Sequence, residues 1–303
     1  MISKKFTILI TTKNRKEDLI FTLEKIKFLL NRDDVSCIVC DDGSSDGTFA
    51  AIEANYPQVR LIQNKDSKGL IYSRNRLMNL VETEYAISID DDLHFVTKDA
   101  LEKILLFFQD VPQAGLVSFR IYWDKNEPES IETNEKSHRI KSFAGGAHAW
   151  RMKAWKEVPD YPSWFVFYGE EDFQSYQLYK KNCHIYYLPD VLVNHRVDLK
   201  ERKKFADYNV RQRRSLRSGW YLFFLFYPWK VIPKRFFYTL WIQIKTKVIH
   251  DRNVKALLPI LLAGVDVIFA IPKIVKHSNR LSHSEFEDYS KLSETKLYWR
   301  PEK

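Results

Sequence analysis

Three acidic clusters could do chemistry together. Asp90-Asp91-Asp92 follows the apolar run Tyr85-Ala86-Ile87-Ser88-Ile89, and Glu170-Glu171-Asp172 follows an aromatic stretch between Trp150 and Tyr168. Asp41-Asp42 closes the β-branched run that leads up to Cys40. Carboxylates gathered at one edge can hold a hard divalent cation, Mg²⁺ or Mn²⁺, together with phosphate oxygens. Such a cation neutralises a departing diphosphate without a proton transfer. If extended backbone persists through the triplet, Asp90 and Asp92 share one side and Asp91 points away. A carboxylate beside an attacking hydroxyl is a general base, and Glu171 and Asp172 are both candidates. Each cluster also has a plain reading: a solvated turn for Asp90–Asp92, a local turn for Asp41-Asp42 and an acidic helix N-terminus for Glu170–Asp172. Their placement has to decide.

The intervening elements alternate. Residues 6–10, 35–40, 59–62 and 85–89 carry strand patterns, while 17–30, 48–55 and 70–81 have helical periodicity. Short connections between them predict an α/β fold, a mostly parallel sheet flanked by helices. Ligands of such sheets bind beyond the carboxyl ends of the strands. Thr11-Thr12-Lys13-Asn14-Arg15, Asp41-Asp42 and Asp90-Asp91-Asp92 all fall at those ends. Residues 124–141 are polar and read as a loop, and 188–195 reads as a closing strand ending on a potential ligand, His195. Cys37 and Cys40 form a C-x-x-C, but on a buried strand they face opposite ways and read as plain buried thiols. No disulfide framework is implied, which fits a reducing compartment.

Charge divides the chain. Residues 1–199 hold 26 basic and 30 acidic residues, whereas 200–303 hold 22 and 9. The division predicts a catalytic domain over 1–199 and a helical extension over 200–303 that meets something anionic. Arg211, Arg213, Arg214 and Arg217 precede an aromatic run from Trp220 to Trp229, a composition suited to an interfacial helix on an anionic membrane surface. No nucleic-acid motif accompanies the basic residues, and homodimer packing is the other reading of the tail. Residues 256–271 are apolar but interrupted by Pro259, Gly264 and Asp266, so they read as too short and broken to span a bilayer. The N-terminus lacks a signal-peptide pattern. The expected location is cytoplasmic, peripheral on the inner face of the cell membrane.

In order, the motifs resemble family-2 glycosyltransferases of the GT-A fold. Thr11-Thr12-Lys13-Asn14-Arg15 is similar to that family's first-strand motif, and Val39-Cys40-Asp41-Asp42-Gly43-Ser44-Ser45-Asp46-Gly47-Thr48 to its commonest signature. Gly69-Leu70-Ile71-Tyr72-Ser73-Arg74-Asn75 resembles its glycine-to-Arg-Asn segment, and Asp90-Asp91-Asp92 its metal-binding Asp-x-Asp. Gly145-Gly146, Glu170-Glu171-Asp172 and His195 stand where the family has acceptor-side glycines, a catalytic acidic motif and a late metal or diphosphate ligand. The resemblance spans roughly residues 5–196.

It implies an inverting transfer of sugar from a nucleoside-diphosphate sugar, UDP favoured, to a hydroxyl of a glycan or lipid-linked glycan in surface polysaccharide synthesis. Thr11, Asn14, Arg15, Asp41, Asp42, Arg74, Asp90 and Asp91 would meet the nucleotide, with Asp42 or Asp41 on the base. Asp92, Asp90 and His195 would hold Mn²⁺ or Mg²⁺. Gly145, Gly146, Trp164 and Glu170 would face the acceptor. The chain departs from the pattern at Gln177, near where the family has an Arg, so the base stays open between Glu171 and Asp172. A sugar nucleotidyltransferase would need a glycine-rich phosphate loop after the first strand, and Thr11–Arg15 has no glycine. A basic binding module for anionic polymers would leave the carboxylates unexplained.

Overall fold

The computed structural model describes residues 4–197 and 208–301; the boundary expected at 199/200 lies outside them. β1 (Phe6–Thr12), β2 (Val35–Asp41), β3 (Arg60–Gln63) and β4 (Tyr85–Asp90) form a parallel block in the order β3-β2-β1-β4. Between these strands run α1 (Lys16–Lys25), α2 (Lys27–Leu30), α3 (Thr48–Asn55) and α4 (Leu70–Met78). The expected helix over 17–30 breaks at Ile26, which is buried. The expected strand–helix alternation is present throughout this block.

The second half of the sheet is mixed. β6 (Ala114–Trp123) runs parallel to β9 (His184–His195), whereas β8 (Ala147–Arg151) pairs antiparallel with both β4 and β6. β5 (Leu93–Phe95) and β7 (His138–Arg139) pair antiparallel with β9. α5 (Ala100–Asp110), α6 (Met152–Trp155) and α7 (Glu170–Lys180) complete this half. The β5–β9 register sets Leu93 opposite His195, which brings the end of β9 beside the Asp90–Asp92 turn.

Apolar side chains fill both faces of the sheet, as period-two strands require. On β1, Phe6, Ile8 and Ile10 join one cluster and Leu9 the other. Cys37 and Cys40 likewise part to opposite faces as free thiols, and burial pushes them up to about 12 and about 11.

Beyond residue 207 come α8 (Tyr208–Phe226), α9 (Ile232–Gln243), α10 (Leu257–His277) and α11 (His283–Lys291). The α8 aromatics expected at a lipid surface turn inward. Trp220, Tyr221, Leu222, Leu225 and Phe226 are buried in the same cluster as Phe173 and Tyr176 of α7, and Phe226 stacks on Tyr176 with ring centroids 4.7 Å apart.

α10 also differs from the broken segment read in the sequence. With its preceding turn it covers Val254–His277, within which 18 consecutive residues reach a mean hydropathy of 2.2, long and apolar enough by length and composition to cross a membrane. Pro259 falls in the first turn, where a missing N–H costs nothing. Asp266 faces the protein and pairs with Arg213 (2.7 Å) and Arg217 (3.3 Å) of α8. Ile260, Ala263, Val267, Ala270 and Ile274 repeat at helical spacing and seal that inner stripe.

Candidate active site

A cleft of about 930 Å³ opens over the carboxyl ends of β1, β2 and β4. Its lining includes Thr11, Arg15, Asp42, Asp90, Asp91, Asp92 and His195, so most of the expected nucleotide and metal residues do converge. Asn14, Asp41, Arg74, Gly145, Gly146, Trp164 and the Glu170–Asp172 cluster lie outside that lining.

Asp92 is buried between Arg15 and His195. Arg15 Nη2 stands 2.6 Å from its Oδ2, and His195 Nε2 stands 2.9 Å from its Oδ1. Burial pushes this carboxyl up, but His195 and Arg15 outweigh it and hold it below the ordinary range. Oδ1 nonetheless has no hydrogen-bond partner of good geometry, an orphaned buried oxygen facing an imidazole nitrogen. Ligand atoms of Asp90, Asp92 and His195 all lie within 4.8 Å of one another. Adjacent ligands of an octahedral Mg²⁺ at about 2.1 Å are about 3 Å apart. The oxygen-rich trio with its unpartnered atom therefore fits a divalent cation.

Asp91 lies in the turn that follows β4 and shares the Arg15 guanidinium with Asp92. It accepts from Thr12 Oγ1 (2.8 Å) and pairs with Arg15 Nη1 (2.9 Å). Burial pushes it up to about 7, with Arg15 opposing.

Asp42 accepts from Ser67 Oγ (2.7 Å), Asn64 Nδ2 (2.7 Å), Lys68 N (2.8 Å) and Gly69 N (2.9 Å). Burial pushes it up and these donors more than compensate, leaving it below its ordinary range. It thereby pins the loop before α4. Asp41 is fully buried and accepts from Ser44 N (2.9 Å) and Gln63 Nε2 (3.0 Å). Asn14 Oδ1 accepts from Ser45 N (2.7 Å), joining the first-strand loop to the Asp41–Thr48 loop.

Arg74, on α4, is a buried hub. Its guanidinium reaches Asp90 Oδ1 (3.1 Å), Glu170 Oε1 (3.1 Å) and Gly145 O (2.9 Å), with Glu171 Oε1 at 3.7 Å. Burial disfavours its charge, but Asp90, Glu170 and Glu171 outweigh that and keep it protonated. Glu171 keeps about a quarter of its side chain exposed (26%), and burial and the Glu170 charge push its carboxyl well above the ordinary range. Glu170 is buried and raised for the same first reason, with Arg74 opposing. Glu170, Glu171 and Asp172 together occupy the first turn of α7, where the helix dipole favours negative charge.

α7 sends its acidic residues different ways. Glu171 faces Arg74 and Gly145, whereas Asp172 lines a separate pocket with Ser142, Tyr227 and Tyr289. Gln177 is buried and accepts from Asn279 Nδ2 (2.7 Å), outside the cleft. Trp164 packs against Tyr221 and Phe165 at 5.0 and 4.6 Å between centroids.

Gly145 and Gly146 make room for the carboxylates. A Cβ on Gly145 would lie 2.0 Å from Glu171 Oε1, and one on Gly146 would lie 2.7 Å from Asp90 Oδ2. Gly146→Ala is expected to displace Asp90 and cost about 10²-fold in turnover, the scale of a misplacement near 1 Å. Turnover read beside a thermal melt checks this; normal turnover would show that Asp90 tolerates displacement.

Arg211 and Arg214 of α8 also line the cleft. Sequence reasoning placed them on a lipid surface, and no local signal marks a helix that returns from beyond residue 207. Arg196 was likewise missed. It bonds Thr22 Oγ1 at 2.7 Å and stacks 4.5 Å over Phe21, bracing α1 beside the cleft.

The sheet and its flanking helices are those of GT-A glycosyltransferases. GalNAc-T7, solved with UDP, GalNAc and Mn²⁺, matches with a TM-score of 0.60 at 14% identity over 78% of this chain and 50% of that one. The mannosyltransferase PcManGT of Pyrobaculum calidifontis, solved with GDP-Man and Mn²⁺, matches with a TM-score of 0.55 at 16% identity over 96% and 76%. At these identities the likeness speaks for the fold. Residues 7–169, more than half of the chain, match the model of glycosyl transferase family 2, and the chain belongs to that family. Chondroitin synthase of Escherichia coli is 28% identical over 136 residues, 39% of this chain and 19% of that protein. The chain therefore matches only about a fifth of that relative's length.

Proposed function

We propose that this chain transfers a sugar from a nucleoside-diphosphate sugar to a hydroxyl group of a glycan or lipid-linked glycan. The observation that carries the proposal is the bridge through Arg74. One guanidinium ties Asp90, of the candidate cation trio, to the acidic pair Glu170 and Glu171. Donor and acceptor chemistry are thus held in fixed geometry.

Asp92, Asp90 and His195 would hold Mn²⁺ or Mg²⁺, which when bound offsets the charge of a departing diphosphate. Asp42, on the cleft wall, is placed to order the loop against which a nucleobase would rest. Arg15, Arg211 and Arg214 supply positive charge for phosphates. Glu171 would take the proton from the acceptor hydroxyl as that oxygen attacks the anomeric carbon. A single displacement of this kind inverts the anomeric configuration. Glu170 and Arg74 position Glu171, and the acceptor approaches past Gly145.

UDP-sugars are the favoured donors, on the motif resemblance and the UDP bound to GalNAc-T7; PcManGT, with GDP-Man, shows that the fold also takes guanine. The likeness to chondroitin synthase supports a polysaccharide role. A panel of nucleotide sugars with Mn²⁺ tests the reading through thermal stabilisation and donor hydrolysis. UDP-sugars should shift the melting temperature and others should not. No shift and no hydrolysis with any donor would overturn the proposed function.

A further inference from the structure

We propose that the outer face of α9 and α10 is a membrane-docking surface, seated in the headgroup region of an anionic bilayer. The inference does not depend on the reaction the cleft performs.

α10 has two apolar stripes. The inner one is sealed against α8. The outer one, Leu258, Leu261, Val265, Ile268 and Val275, repeats at the same helical spacing and is exposed, with Phe269 beside it at 81%. On α9, Phe237, Tyr238 and Trp241 are each more than half exposed. An exposed apolar stripe running the length of α10 is unusual on a soluble monomer and marks a surface that is covered in use.

Charge selects the occupant. Residues 229–277 hold nine Lys and Arg but only two acidic residues, and one of these, Asp266, is turned inward onto Arg213 and Arg217. Lys230, Lys234 and Arg235 flank the start of α9, and Lys255, Lys273 and Lys276 flank the two ends of α10, all of them exposed. A second copy would bring two basic rims together, whereas an anionic leaflet attracts both. Tyr238 and Trp241 are the amphipathic aromatics that favour headgroup depth.

The helix lies along the surface instead of crossing it. Asp266 falls near the middle of α10, and a spanning helix would carry its ion pairs with Arg213 and Arg217 into hydrocarbon. The lipid contact therefore lies on α9 and α10 and not, as the sequence pattern indicated, on the arginines of α8.

Cosedimentation of the full chain with vesicles of phosphatidylglycerol and phosphatidylcholine, against phosphatidylcholine alone, tests the proposal at low and high salt. Binding should favour the anionic vesicles and weaken at least tenfold at high salt, as screening shortens the reach of the charges. Leu261→Gln/Ile268→Gln/Phe269→Gln and Lys230→Gln/Lys234→Gln/Arg235→Gln should each cut binding at least tenfold. Both should keep the wild-type melting temperature and donor hydrolysis, because these side chains lie away from the core and the cleft. Wild-type protein that ignores anionic vesicles, or variants that bind as the wild type does, would overturn it. So would resistance to alkaline carbonate extraction, the mark of a spanning helix. A stable dimer in solution that the α10 variant converts to monomer would assign the face to a second copy instead.

Discussion

Glu171→Gln should lower turnover by about 10²–10⁴-fold, the contribution of a positioned base, with nucleoside diphosphate affinity unchanged. Asp172→Asn should leave turnover near normal. The two residues are adjacent, yet helical geometry turns successive side chains about 100° apart. That angle directs Glu171 to Arg74 and Asp172 to the pocket beside Tyr227 and Tyr289. The pH profile gives a second readout. Burial and Glu170 raise the Glu171 carboxyl, so the base-competent carboxylate is depleted at low pH and recovers as pH climbs through the raised value. Turnover should therefore rise with pH along a limb displaced above the ordinary carboxylate range. Because Glu170 and Glu171 interact, the midpoint belongs to the pair. Glu171→Gln should abolish the limb. Loss of turnover in Asp172→Asn with Glu171→Gln intact would reverse the assignment.

Asp92→Ala should uncouple nucleotide binding from the cation. Calorimetry on the wild type should show nucleoside diphosphate binding tightened by Mn²⁺ and weakened by chelator. In the variant the two conditions should give equal affinity, and turnover should fall at least about 10²-fold, since the lost ligand stabilises the departing diphosphate by several kcal/mol. The fold should survive, because Asp92 lies at a loop outside both apolar clusters. Equal wild-type affinities with and without chelator would remove the cation from the site.

How far the sequence could be read follows from the range of each signal. Period-two alternation predicts that Asp91 points away from Asp90 and Asp92 if the strand persists, but β4 ends at Asp90 and a turn follows, so one Arg15 guanidinium holds both Asp91 and Asp92. The four parallel strands were legible because each carries its own apolar run. β8 was not, because Ala147–Arg151 is short and takes its place from pairing with both β4 and β6. Glu171 could not be separated from Asp172 without the phase of α7. Asp42 or Asp41 reads as a nucleobase contact in the sequence; what no local signal shows is that the four closest donors to Asp42 come from residues 22 to 27 positions downstream. α10 reads in the sequence as broken at Pro259, Gly264 and Asp266, yet one helix runs through all three, with Pro259 in its first turn and Asp266 paired across to α8.

The stacking of Phe226 on Tyr176 bears on where the chain can be cut. Tyr176 is five residues beyond Glu171 on one helix, so the outer wall of the base's own helix is built from chain beyond residue 207. A fragment ending near residue 199 would keep every acidic residue of the cleft and expose the flank that fixes the direction of α7. Excision would be felt as lost cooperativity: the full chain should melt in one transition, and Phe226→Ala alone should cost about 3–5 kcal/mol. The charge step in the sequence marks a change of surface, while the apolar cluster that backs α7 continues into α11 through Phe286 and Tyr289.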